Sequence, residues 1–161
     1  MKGLPLVLIV LFYFNNAYSQ IPTLSFFNGD ASIPTRTVFD APVVRMPKVD
    51  LEKLKREDLE EAKMGIPPRF GKDIDVDFTL ENSGRWEKVK GGNVWKLEVY
   101  SENSHSINMI FNDFFLAEGS ELIIYNKEMN MMAGPITSFS NNKSRKFSTD
   151  IIIGQSVILE F

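Results

Sequence analysis

Trp95, Leu97 and Val99 alternate with Lys96, Glu98 and Tyr100. A two-residue period sends successive side chains to opposite faces of an extended chain, so this run predicts a half-buried strand with Glu98 on its solvent face. Ile107, Met109 and Phe111 repeat the pattern against Asn108 and Asn112. The run E-L-I-I-Y-N at 121–126 is apolar on both faces, as a central strand would be. Turn residues punctuate these runs at Gly91-Gly92-Asn93, Glu118-Gly119-Ser120, Gly134-Pro135 and Asn141-Asn142-Lys143. Roughly eight short strands fit from Val76 onward, which predicts a mainly β fold: an antiparallel, jelly-roll-like β-sandwich over residues 75–161. The final run, I-I-I-G-Q-S-V-I-L-E-F, stops as if inside a buried strand. Chain ends are usually frayed and polar, so either Phe161 tucks into a core or the parent protein continues past it.

Three segments precede the strands. Residues 1–19 carry Lys2, then the apolar run L-P-L-V-L-I-V-L-F-Y-F and small residues at Ala17 and Ser19. This is the pattern of a secretory signal peptide cut between Ser19 and Gln20, its apolar run too short for a membrane-crossing helix. The expected location is therefore secreted or periplasmic, with no membrane attachment after signal removal. Residues 20–47 read as an extended linker, because Pro22, Pro34, Pro42 and Pro47 remove donors and restrict their predecessors. Phe26-Phe27 and Val43-Val44 are exceptions able to dock as short extended pieces. Residues 48–74 hold one short charged helix and a Pro/Gly junction. Asp50 is placed to cap the helix, Glu52/Arg56 and Lys53/Glu57 are spaced four apart, and Gly65 with Pro67-Pro68 ends it. Its apolar residues are few: Leu51, Leu54, Leu59 and Ala62. It is either a recognition helix for a partner or a solvated helix lying loosely against the domain, and charge-rich faces favour the second.

Composition narrows the chemistry. A net charge of −3 without a basic block argues against nucleic acid. The chain lacks cysteine, so disulfides and thiolate metal sites are excluded, and a single histidine is too few for a histidine-built zinc site. An exported domain without disulfides depends on core packing alone. No cofactor is expected.

His105, in Ser104-His105-Ser106, is expected to be structural or solvent-facing, since a general base needs a partner and a pocket, and Gly154-Gln155-Ser156 lacks the glycine that follows a nucleophile elbow. Glu98, Glu102, Asp113, Glu118 and Glu121 offer carboxylates but no sign of a facing pair across a cleft. Asp73, Asp75 and Asp77 alternate without the glycine turn and terminal glutamate of a calcium loop, and are expected in solvent. No catalytic or metal residue is assigned, and the chain itself is expected not to be an enzyme. Trp86 and Tyr100 are a candidate stacking platform for a glycan, whereas Trp95, in phase with Leu97 and Val99, is expected in the core.

Taken in order, the motifs form a series: G-x-W at 84–86, V-W-K-L at 94–97, S-I-N-M-I-F at 106–111, F-x-L before the Gly119 turn, L-I-I-Y-N, G-P-I-T, F-S-T and I-x-G-x-x-V-I-L-E-F. The series resembles the N-terminal β-sandwich region that precedes the catalytic domain in secreted bacterial trypsin-like proteases of the lysyl endopeptidase type. K-R-E-D at 55–58 and P-P-R-F-G at 67–71 are similar to that family's pro-segment, so the resemblance runs from about Leu54 to Phe161. It implies a propeptide or accessory domain that assists folding of the protease or masks it. It also implies a catalytic domain beyond Phe161 as partner and a parent protein that is a serine endopeptidase. His105 departs from the family pattern, which has a small residue there. The alternative is a free-standing secreted sandwich that binds glycan or a surface protein.

Overall fold

In the computed structural model, the described residues are 24–26, 39–128 and 130–161. They form a mainly β structure with a single α-helix and open sheets. Eleven strands occur in order: β1 (Leu24–Phe26), β2 (Val43–Arg45), β3 (Arg85–Val89), β4 (Gly92–Tyr100), β5 (Ser106–Ile107), β6 (Ile110–Phe111), β7 (Glu121–Asn126), β8 (Met131–Thr137), β9 (Phe147–Ser148), β10 (Ile152–Ile153) and β11 (Ser156–Glu160). Helix α1 (Leu51–Lys63) lies between β2 and β3. Among the described residues no helix is long and apolar enough to cross a membrane.

Seven strands make one sheet in the order β1-β8-β7-β11-β4-β2, with β3 also paired to β4. All pairings are antiparallel except β2 with β4. Strand β4 is the seam. Strand β11 runs along one flank, while β3 and β2 share the other, β3 against its first half and β2 against its second. The remaining strands form two ribbons, β5 with β10 and β6 with β9.

Residues 20–47, expected to be a linker, thus contribute β1 and β2 to the sheet. Three-residue strands show too little period to be seen in a sequence, and proline is tolerated where only one flank needs hydrogen bonds. Even Pro42 takes part, its carbonyl accepting from the Glu98 amide at 2.9 Å.

The odd-numbered residues Trp95, Leu97 and Val99 of β4 face the main core. Leu122 and Ile124 of β7, Met131 and Ala133 of β8, and Val157 and Leu159 of β11 join them. The ribbons supply the opposite side of this core through Ile107, Ile152, Phe111 and Phe147, with Phe114 and Leu116 between. Phe114 stacks on Phe147 at 4.5 Å and meets Phe111 edge-on at 5.6 Å, geometries that aromatic quadrupoles favour. The expectation of a core Trp95 and of a central strand at 121–126 agrees with this packing.

Trp95 also explains a glycine. Its indole N–H donates to the Ser83 carbonyl at 2.7 Å, which draws the 79–84 turn over the ring. Gly84 sits there at φ +72, and a Cβ would fall 2.4 Å from the indole. The replacement Gly84→Ala therefore faces a steric clash and a strained backbone together. It should destabilise the fold by about 1–3 kcal/mol, read as a lower urea midpoint by tryptophan fluorescence.

Candidate functional site

The other face of the sheet carries the main departure from the sequence pattern. Glu98, expected in solvent, is buried, as are Lys96 and Glu160. This face is no bare surface: Ile123, Tyr125 and Met132, with Ile158 packed on them, make a second apolar cluster. Single-sequence alternation cannot separate a polar face turned to water from polar residues paired with each other across strands.

The pairing comes from register. Lys96 lies opposite Glu160 between β4 and β11, and their side chains form an ion pair of 3.1 Å with 5% and 2% exposure. The Tyr125 hydroxyl donates to Glu160 Oε2 at 3.4 Å, and Lys96 Nζ donates to the Phe39 carbonyl at 3.4 Å. The Phe39 ring lies 5.0 Å from the same ammonium. Further along, Glu98 Oε1 accepts from Ser156 Oγ at 2.6 Å and from Lys127 Nζ at 3.0 Å. Burial, reinforced by the Glu160 carboxylate, pushes the Tyr125 hydroxyl well above the ordinary tyrosine range. The phenol therefore stays protonated and remains a donor. These groups bind one another across β4, β7 and β11, and so hold register.

The other sequence candidates are dispersed. Trp86 pairs with Trp95 across β3 and β4, is 45% exposed, donates to the Leu80 carbonyl at 3.2 Å and meets Phe161 edge-on at 6.0 Å. Tyr100, five residues beyond Trp95 on β4, faces the opposite side, with the Arg45 guanidinium 4.6 Å over its ring. The fold does not bring the two rings together as one platform. His105 is exposed before β5, its carbonyl accepting from the Gly154 amide at 2.9 Å, while the Ser156 hydroxyl is committed to Glu98. Glu102 pairs with Lys48 at 3.4 Å, and Asp113 pairs with Arg145. Glu118 is exposed and Glu121 half-buried. Asp73, Asp75 and Asp77 are exposed, as expected. Ser19 and Gln20 lie outside the described residues.

A second feature is built by α1, the helix read from the sequence as either a recognition helix or a solvated one, and the turn after it. The Asp50 side chain accepts from the Lys53 amide at 2.9 Å, the cap the sequence predicts. Lys53 reaches Glu57 at 3.9 Å, but Glu52 takes Lys55 at 3.0 Å rather than Arg56. Gly65, at φ +75, turns the chain back beyond the helix. Arg69 then returns to α1 and pairs with Asp58, with Glu57 at 3.3 Å and with Glu61 at 3.5 Å. The hydrogen bond to Asp58, aided by the surrounding carboxylates, holds the guanidinium above the usual arginine range.

The braced unit buries none of the helix residues. Leu59 is 65% exposed, Met64 68% and Phe70 82%, with Leu51 and Ile66 also exposed. Beneath it, a groove of about 450 Å³ runs between α1 and the returning chain, lined by Leu54, Glu57, Arg69, Lys72 and Ile74 among others. Exposed apolar residues on a braced element are one form that a protein contact surface takes. The sequence signal for it is the thin apolar content of the helix together with the Pro67-Pro68 turn.

No protein-family model matches the chain, and no solved structure matches it.

Two predictions test the buried polar face. Lys96→Met leaves Glu160 buried without its ammonium and should cost about 3–5 kcal/mol. Combining it with Glu160→Leu should cost less than the single change, as urea unfolding of the three variants would show. Tyr125 supplies a pH dependence. Below the ordinary tyrosine pKa of 10.0 both states keep the phenolic proton and its contribution is complete. Above that value the unfolded chain loses the proton while the folded chain retains it, so stability falls as pH rises towards the raised folded value. The stability advantage of the wild type over Tyr125→Phe should therefore shrink between about pH 9 and about pH 11.

Proposed function

We propose that this chain is the non-catalytic, exported propeptide or accessory region of a trypsin-like serine protease of the lysyl endopeptidase type. In this reading it is a jelly-roll-like β-sandwich, secreted or periplasmic, and its partner is the downstream catalytic domain. The observation that carries the proposal is the braced α1 unit, a helix with no buried residue whose following turn displays Met64, Ile66 and Phe70. A helix that gains little from its own domain is well suited to gain its burial from a partner. The commitment of the Ser156 hydroxyl to Glu98, away from the exposed His105, also supports a non-catalytic role.

The work of such a region is thermodynamic. A domain that binds the folded catalytic domain and not the unfolded one stabilises the former by mass action. Joined in one chain, the two need no diffusional encounter, and the linkage sets a high effective concentration. The same contact masks the protease until it is cut away. A sheet held by a buried ion pair and a filled aromatic core supplies the rigid support, and α1 supplies the contact.

Co-expression with the downstream catalytic domain, in cis or in trans, should raise the yield of active protease. An unchanged yield, with no inhibition of the mature enzyme, overturns the proposal. Phe70→Asp alters a solvent-exposed side chain, so it should leave the unfolding midpoint of the isolated chain nearly unchanged. It should nevertheless weaken binding to the catalytic domain by about tenfold or more, measured by titration calorimetry.

A further inference from the structure

Residues 71–79 run without helix, turn or bend between two anchors. On one side Arg69 is held by Asp58, Glu57 and Glu61. On the other, Phe78 packs against the main core, and the Asn82 side chain binds the Asp77 carbonyl at 2.9 Å and the Thr79 amide at 2.8 Å. Between the anchors, residues 71–76 make no main-chain hydrogen bond among the described residues. Lys72 is exposed there, and among the described residues its ammonium has no ion-pair partner. The other basic residues near this junction differ: Lys63 is helical and pairs with Glu60 at 2.7 Å, and Lys48 pairs with Glu102. Arg145 and Lys146 lie in a turn closed by Asn142 and Asp113.

We infer that residues 71–76 form a substrate-like inhibitory loop, with Lys72 as the side chain that enters the acidic primary pocket of a trypsin-like endopeptidase. The inference rests on the proposed function and assigns its masking role to a specific residue. Endopeptidases of this class bind peptide as an added extended strand, using main-chain groups of the substrate for affinity and one pocket for specificity. This loop offers both: main-chain groups that make no main-chain hydrogen bond among the described residues, and one lysine without an ion-pair partner among them. Anchoring at Arg69 and Phe78 limits the ordering needed on binding, which favours affinity.

The pairing of the sheet determines the fate of a cut chain. Hydrolysis of the Lys72–Asp73 bond adds the water hydroxyl to the Lys72 carbonyl carbon and its proton to the Asp73 nitrogen. The piece before the cut contains β2, the piece after it contains β3 and β4, and β2 remains hydrogen-bonded to β4. The nicked protein stays together, and the loop stays in the cleft rather than diffusing away.

The test uses residues 20–161 titrated against trypsin, with chymotrypsin, whose primary pocket is apolar, as control. Inhibition of trypsin and not of chymotrypsin is expected, weakened about thirtyfold or more by Lys72→Ala. Any nicked product should have its new end at Lys72 and elute as one species on size exclusion. Equal inhibition by Lys72→Ala, or digestion of the wild type without inhibition, overturns the inference. The two readings fail separately: a Lys72→Ala chain that still raises the yield of active protease in co-expression preserves the pro-region reading whatever the titration shows.

Discussion

The Lys96–Glu160 pair, with the Tyr125 hydroxyl on the same carboxylate, is the constraint around which the large sheet is organised. Opposite charges taken out of water attract strongly, but each loses its hydration, and the balance is favourable only when the geometry is met. That condition makes the pair a device for register. A shift of β11 by one residue against β4 would turn Glu160 to the main-core side, bring Leu159 to the other and take the carboxylate away from Lys96. Strand β11 is bonded to β7 as well as to β4, so the same register passes to the far half of the sheet. The main core, filled by Leu97, Ile124, Val157 and their neighbours, supplies most of the apolar burial. The polar face determines which strands meet and where.

Much of the sheet is legible in the sequence, and the failures share a cause. The alternation at Trp95, Leu97 and Val99, the doubly apolar run at 121–126 and the Asp50 cap are local signals, and the structure carries all three. The burial of Glu98 escapes a local reading because its partners, Ser156 and Lys127, are 58 and 29 residues away. Strands β1 and β2 resemble linker because three residues cannot show a period. The division of Trp86 and Tyr100 between opposite faces depends on strand pairing, which local alternation does not supply. The brace on α1 is half visible: the turn at Pro67-Pro68 can be read, the three carboxylates gathered by Arg69 cannot.

These features divide the labour within one short chain. The sheet and its ribbons are held on both faces, by the aromatic contacts of Phe111, Phe114 and Phe147 on one and by the ion pair on the other. The helix unit relies on surface ion pairs, each of which contributes little in water. Stability is therefore concentrated in the β portion, and the helix unit is the less stable of the two.

Because β2 and β3 share one flank of β4, the chain has a place where it can vary freely. The segment that leaves β2 and returns at β3 starts and finishes on the same neighbour, so its ends are fixed by strand pairing and, next to it, by Met46 and Phe78 on the main core. Closing such an excursion costs only about 0.6 kcal/mol more for each doubling of its length. The stretch from 47 to 76 is therefore a natural cassette: it can be lengthened, shortened or exchanged while the sheet keeps its register. Changes of sequence and length can accumulate there at little cost to the sheet.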